Sequence, residues 1–80
     1  MSYSVRYSPR AQRERDALAP GDRNALDAGI ESVARDPYGC GSTPTYDKDR
    51  REVTVGRFFV GYQVSPGVMY ITVVQIVGPM

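Results

Sequence analysis

The eighty-residue sequence contains no histidine, no tryptophan and a single cysteine, Cys40. Without histidine, Ser/His/Asp catalysis, Cys/His pairs and imidazole acid–base chemistry are excluded. Carboxylates and one thiol cannot supply the usual ligand set for zinc, so no metal or other cofactor is expected. One cysteine permits no intrachain disulfide, so the fold must rest on packing or on area gained from a partner, and the chain reads as cytoplasmic. Net charge is small, +1 from ten basic and nine acidic residues. A free nucleic-acid binder usually has an overall basic footprint, so any cationic surface here has to be local. Val68 to Met80 is free of charge, but it is shorter than the roughly 20 residues of a membrane helix and is interrupted by Gln75, Gly78 and Pro79. Met1 leads into a polar alternating stretch rather than an apolar leader core, so neither a membrane nor secretion is expected.

With 41% hydrophobic and 24% charged residues the composition is that of an ordinary globular protein, and the length suits one small domain over residues 1–80. Ser2 to Tyr7 alternates, with Tyr3, Val5 and Tyr7 on one face, as a half-buried strand does. Ser8-Pro9 is a helix start, a hydroxyl cap followed by a proline tolerated at the first helical position, and predicts a short polar helix to about Leu18. Ala19-Pro20-Gly21-Asp22 reads as a turn. Beyond it, Leu26, Ile30 and Val33 form the apolar stripe of a second helix, which must stop at Asp36 because Pro37 disfavours helical backbone in the residue before it. Tyr38 to about Arg50 reads as a long polar loop. Three strands follow: one around Val53 and Val55, one over Phe58 to Val64 after a Gly56-Arg57 turn, and one over Val68 to Val77 after Ser65-Pro66-Gly67. The order β-α-α-β-β-β predicts an α+β fold, a helix hairpin on one face of a small, mostly antiparallel sheet.

On the middle strand, Phe58, Val60, Tyr62 and Val64 share the face expected under the helices, while Arg57, Phe59, Gly61 and Gln63 share the other. Arg50, Glu52 and Thr54 should line that outer face beside Phe59. The last strand is apolar on both sides and alternation cannot orient it. A strand of that kind suits a central position covered on both faces, so either the sheet curls or something else packs on it.

Tyr3-Ser4-Val5-Arg6-Tyr7-Ser8-Pro9, the helix hairpin ending in Asp36-Pro37, and Val55-Gly56-Arg57-Phe58-Phe59-Val60-Gly61-Tyr62-Gln63-Val64 with its closing apolar strand resemble the RelE/ParE superfamily of toxins over nearly the whole chain. The resemblance implies a RelE/ParE-like fold and the toxin of a bacterial type II toxin–antitoxin module with a cognate antitoxin as partner. RelE-like members act on translation, entering the ribosome and cleaving mRNA. ParE-like members inhibit DNA gyrase, and a catalytically inactive binding relative is the other alternative. Gly56, Phe58 and Tyr62 match the family pattern, but Phe59 stands where it carries an arginine, and Glu52 and Thr54 stand where it carries basic residues. After the last strand the pattern continues into a basic pair and a tyrosine, whereas this sequence reads Gly78-Pro79-Met80. The usual catalytic positions are therefore unmatched, and whether the chain is an endoribonuclease stays open.

Arg57, two residues before Phe59 and expected roughly 7 Å from it on the same face, and Arg51 are the candidate catalytic cations. Lys48, Arg50, Arg51 and Arg57 are the candidate RNA contacts, since arginine forks suit phosphate oxygens. Asp47, Asp49 and Glu52 would neutralise them if the segment is merely a solvated loop. Phe59 and Tyr70 are the candidate antitoxin-binding residues, on an apolar face that would equally serve a homodimer. Tyr38, Tyr46 and Tyr70 are candidates for base stacking. Cys40 reads as a passive loop thiol, with no histidine to activate it.

Overall fold

Capping and alternation set the first elements of the computed structural model, which describes residues 2–78; Met1, Pro79 and Met80 lie outside them, and with them the expectations on the leader and on the basic pair. Strand β1 (Ser4–Tyr7) half-buries Val5 and Tyr7 and exposes Ser4 and Arg6. Ser8 caps helix α1 (Pro9–Asp16), its hydroxyl accepting from the Ala11 amide at 3.2 Å with Pro9 in the first turn. The helix ends before Leu18, and its terminal carbonyls are satisfied from the next helix. The Arg23 guanidinium donates to the Arg15, Asp16 and Leu18 carbonyls at 3.4, 3.2 and 3.0 Å.

Helix α2 (Pro20–Arg35) begins inside the expected turn. Pro20 occupies the first helical position, where a missing N–H costs nothing, and Asp22 sits favourably in the positive first turn, so letters that spell a turn also start a helix here. Asp36 ends it in non-helical backbone (φ −152°, ψ 74°), as the following proline requires. Arg15 and Asp27 tie the two helices by a bidentate pair at 2.8 and 2.6 Å.

The sheet has five strands in the order β1-β5-β4-β3-β2, one more than expected. The addition is β2 (Thr43–Pro44), inside the presumed loop, paired with Glu52 and Arg51 of β3 (Arg50–Val55). β4 (Phe58–Ser65) runs antiparallel to β3 and to β5 (Tyr70–Val77), and β1 joins β5 in parallel. Gly56 turns the first hairpin at φ 58°.

A bulge resolves the ambiguity of the last strand. Gly61 pairs with Gln75 but Tyr62 with Val73, which leaves Val74 as an extra residue on β5. Parity switches there, so Ile71 and Val73 before the bulge and Ile76 after it all point inward and are buried. β5 is central in the sheet, and one layer of helices covers its inner face. Past the end of β1, helix α1 covers the exposed edge of β5: the Glu14 carboxylate accepts from the Ile76 amide at 3.1 Å. Leu26, Ile30, Val33 and Ala34 of α2 and Ala11 of α1 close over Val53, Val55, Phe58, Val60, Tyr62 and Val64 in one core.

Candidate nucleic-acid interface

The face of the sheet turned away from the helices is built row by row by the strand register. One row crosses four strands: Arg50 of β3 faces Gln63 of β4, Gln63 faces Thr72 of β5, and Thr72 faces Arg6 of β1. Three strand spacings put the two arginines about 14 Å apart along the backbone. Each guanidinium lies over a tyrosine ring, Arg6 over Tyr70 at 4.1 Å and Arg50 over Tyr46 at 6.0 Å. Among the described residues neither arginine forms an ion pair. The neighbouring row is Glu52, Gly61 and Gln75, with Gly61 buried beneath the side chains of Val74 and Gln75. A third row holds Thr54, Phe59 and Val77. Among the described residues the face thus offers two cations without an ion pair, three aromatic rings in Tyr46, Phe59 and Tyr70, amide and hydroxyl groups, and one carboxylate, Glu52. Such a surface suits an extended polyanion.

The candidate cations are dispersed by the fold. Arg50 belongs to this face, and Lys48 is exposed in the turn beside it. Arg51 does not: it alternates to the inner side, is 8% exposed, and spends its donors on protein oxygens. Its Nε donates to Ser42 Oγ at 2.7 Å and its Nη1 to the Lys48 carbonyl at 2.8 Å, while Nη2 reaches the Tyr38 and Ser42 carbonyls at 3.4 and 3.3 Å. Arg57 is not on the strand face beside Phe59 either. It sits in the β3–β4 turn and reaches back to Asp22 of α2, Nη1 to Oδ1 at 3.6 Å, so it lies on the helix side. Neither catalytic candidate meets the outer face.

Phe59 and Tyr70 do share the outer face but at opposite ends, since Phe59 lies six residue steps along β4 from Ser65, the partner of Tyr70, about 20 Å at the strand rise. Tyr38 donates its hydroxyl to Asp49 at 2.6 Å, which holds its pKa up at about 12, and Tyr46 is 84% exposed. Cys40 is half-buried, its Sγ 3.5 Å from the buried Tyr62 hydroxyl, and it lines an open cleft of about 250 Å³ with Gly29, Ser32, Val53 and Val55. No group of metal-ligating side chains occurs among the described residues. Arg6 is the outer-face cation that sequence reasoning did not single out. Alternation placed it outward, but the parallel pairing of β1 with β5 that sets it beside Thr72 links residues more than sixty apart and has no local signal.

No protein-family model and no curated protein matches the chain. Solved structures do match. A chain of the toxin–antitoxin complex RelBE2 from Mycobacterium tuberculosis superimposes with a TM-score of 0.81 at 16% identity, over 95% of this chain and 96% of that one. The isolated RelE toxin of E. coli gives 0.80 at 18% identity, over 94% and 82%. The archaeal RelE–RelB complex of Pyrococcus horikoshii gives 0.74 at 13% identity, over 95% and 93%. No helix among the described residues is long and apolar enough to cross a membrane. Two helices on one side of a five-stranded mixed sheet, with β1 parallel to a central β5, are the fold of the RelE toxins.

Proposed function

We propose that the chain is the toxin of a type II toxin–antitoxin module and that it inhibits translation by holding RNA against the outer face of its sheet. The observation that carries the reading is the row from Arg6 to Arg50, two arginines without ion partners among the described residues on one open surface. The fold supports it, and several neighbours of that fold were solved with an antitoxin bound. A cognate antitoxin would cover the same face, with Phe59 and Val77 as its apolar anchor at one end and Tyr70 at the other.

Binding without cleavage is favoured over an endoribonuclease. Cleavage needs a group to activate the 2′-hydroxyl, cations for the developing charge and an acid for the leaving oxygen. A general acid or base is commonly worth about 10²–10⁴-fold. Arg51 and Arg57, the two candidate catalytic cations, point elsewhere, and among the described residues the outer face retains Glu52 as its lone carboxylate.

Inducing the chain in a bacterial host and mapping mRNA 5′ ends tests the proposal. Growth arrest with falling protein synthesis and intact mRNA is expected. New cleavage ends within codons would make the chain a nuclease, and a DNA-damage response with translation intact would make it a gyrase inhibitor. In vitro, Arg6→Ala and Arg50→Ala should each weaken binding of single-stranded RNA and reduce the slope of log K against log salt by about 0.7. Unchanged slopes in both would place the RNA surface elsewhere.

A further inference from the structure

We infer that Arg51 is a positioning residue, a buried clasp that closes the segment from Tyr38 to Lys48 onto the sheet and so fixes Tyr46, Lys48 and Arg50 at the edge of the outer face. Consecutive residues of β3 have opposite tasks. Arg50 projects outward to Tyr46, while Arg51 projects inward under the loop. Its four bonds span both ends of that loop: Tyr38 and Ser42 at the start, Lys48 at the end. Every acceptor is a carbonyl or hydroxyl, and no carboxylate pairs with the buried cation among the described residues. Tyr38 covers it, ring centroid 5.4 Å from the guanidinium carbon, and is itself tied to Asp49.

A buried cation without a counter-ion is costly, and an apolar side chain of the same length would fill the space without that cost. The guanidinium fork supplies direction instead: five donors in one rigid plane, which the three donors of a lysine ammonium cannot reproduce. The loop it closes is ordered locally as well. The Asp47 carboxylate accepts from the Asp49 and Arg50 amides at 2.8 and 3.0 Å, and the Thr45 amide donates to the Arg50 carbonyl at 2.7 Å. Those local bonds define the turn, and the Arg51 bonds hold it against the sheet.

The functional half of this inference rests on the RNA-contact reading, so the experiment reads the clasp separately. Native-state amide exchange is measured for wild type, Arg51→Met and Arg51→Lys, together with binding of a fluorescent single-stranded RNA oligonucleotide over a salt series. Arg51→Met should accelerate exchange at Thr45, Asp49 and Arg50 by about tenfold or more while Val60 and Ile71 keep their protection. RNA affinity should fall about tenfold with an unchanged salt slope, because Arg51 itself meets no phosphate. Arg51→Lys should restore part of both losses. Unchanged exchange in Arg51→Met overturns the clasp, and a salt slope reduced by about 0.7 without faster loop exchange makes Arg51 a direct phosphate contact instead. If wild type binds no RNA, the RNA-contact reading fails and exchange alone decides the clasp. Should Arg51→Met not fold, Ser42→Ala removes one acceptor and must shift the same amides in the same direction, and no shift there overturns the inference.

Discussion

Tyr62 illustrates how single residues hold this small core. It is fully buried, and its hydroxyl donates to the Pro37 carbonyl at the end of the helix hairpin. Ser42 Oγ donates to the same carbonyl at 3.1 Å. Tyr62→Phe therefore leaves that oxygen to Ser42 and to the Cys40 thiol at 3.9 Å and should lower the unfolding free energy by about 1 kcal/mol in urea titration. Val60→Ala, at a site 1% exposed under the helices, should cost roughly 1–3 kcal/mol through the cavity it opens. A neutral result there would mean the strand faces are reversed. Both side chains were legible as core because β4 alternates cleanly. The cations were legible only in part. Alternation separates Arg50 from Arg51 and groups Arg51 with Val53 and Val55, so the inward course of Arg51 was available in the parity of β3. Closeness in sequence to Lys48 and Arg50 does not place Arg51 on their face. The pairing of Arg57 with Asp22 depends on α2 lying beside the β3–β4 turn, which no local pattern reports.

Between elements, α2 approaches β3 closely at Gly29. A methyl group built on Gly29 would stand 2.0 Å from Val55 Cγ1, so the helix rests on the strand through the missing side chain. Gly29→Ala gains about 1 kcal/mol of helix propensity but must push Val55 or the helix aside, and the net expectation is a loss of roughly 1–3 kcal/mol. In a Val55→Ala background the clash is gone, and the same change should be neutral or stabilising. The double-mutant cycle then shows a large coupling of opposite sign to simple additivity, and additive losses would refute the contact. Element order and faces followed from the 3.6- and 2-residue periods. The features that did not are those made by pairing: β2 is two residues long and exists because Glu52 and Arg51 offer it an edge. The bulge at Val74 is the reason both parities of β5 are apolar, which as a bare pattern had suggested a second covering layer. In this way a single uncovered face of the sheet, not a hidden one, emerges as the surface available for a ligand.

For the whole molecule, the absence of histidine becomes a statement about pH. No side chain of the kind that ordinarily titrates between pH 5 and 8 is present, so the limits of stability fall at the carboxylates and the tyrosines. On the acid side, the Arg15 guanidinium holds the Asp27 carboxyl below its ordinary 3.8. A depressed folded pKa means that the unfolded chain binds the proton first. The contribution of the Arg15–Asp27 pair is thus complete above about pH 4 and is lost as pH falls through the folded value. On the alkaline side, burial raises Tyr7 and Tyr62, and the bond to Asp49 raises Tyr38 to about 12. Raised folded values act in the opposite sense: their contribution is complete below the unfolded value of about 10 and is lost as pH rises beyond it. The melting temperature should accordingly be flat between roughly pH 5 and 9 and fall on both sides. Asp27→Asn should lower the plateau and flatten the acid limb, because the group that ties α1 to α2 no longer titrates. The limb should also shrink in high salt, since the two side chains keep 24% and 36% of their surface in water. An acid limb equally steep in Asp27→Asn would transfer the linkage to another carboxylate.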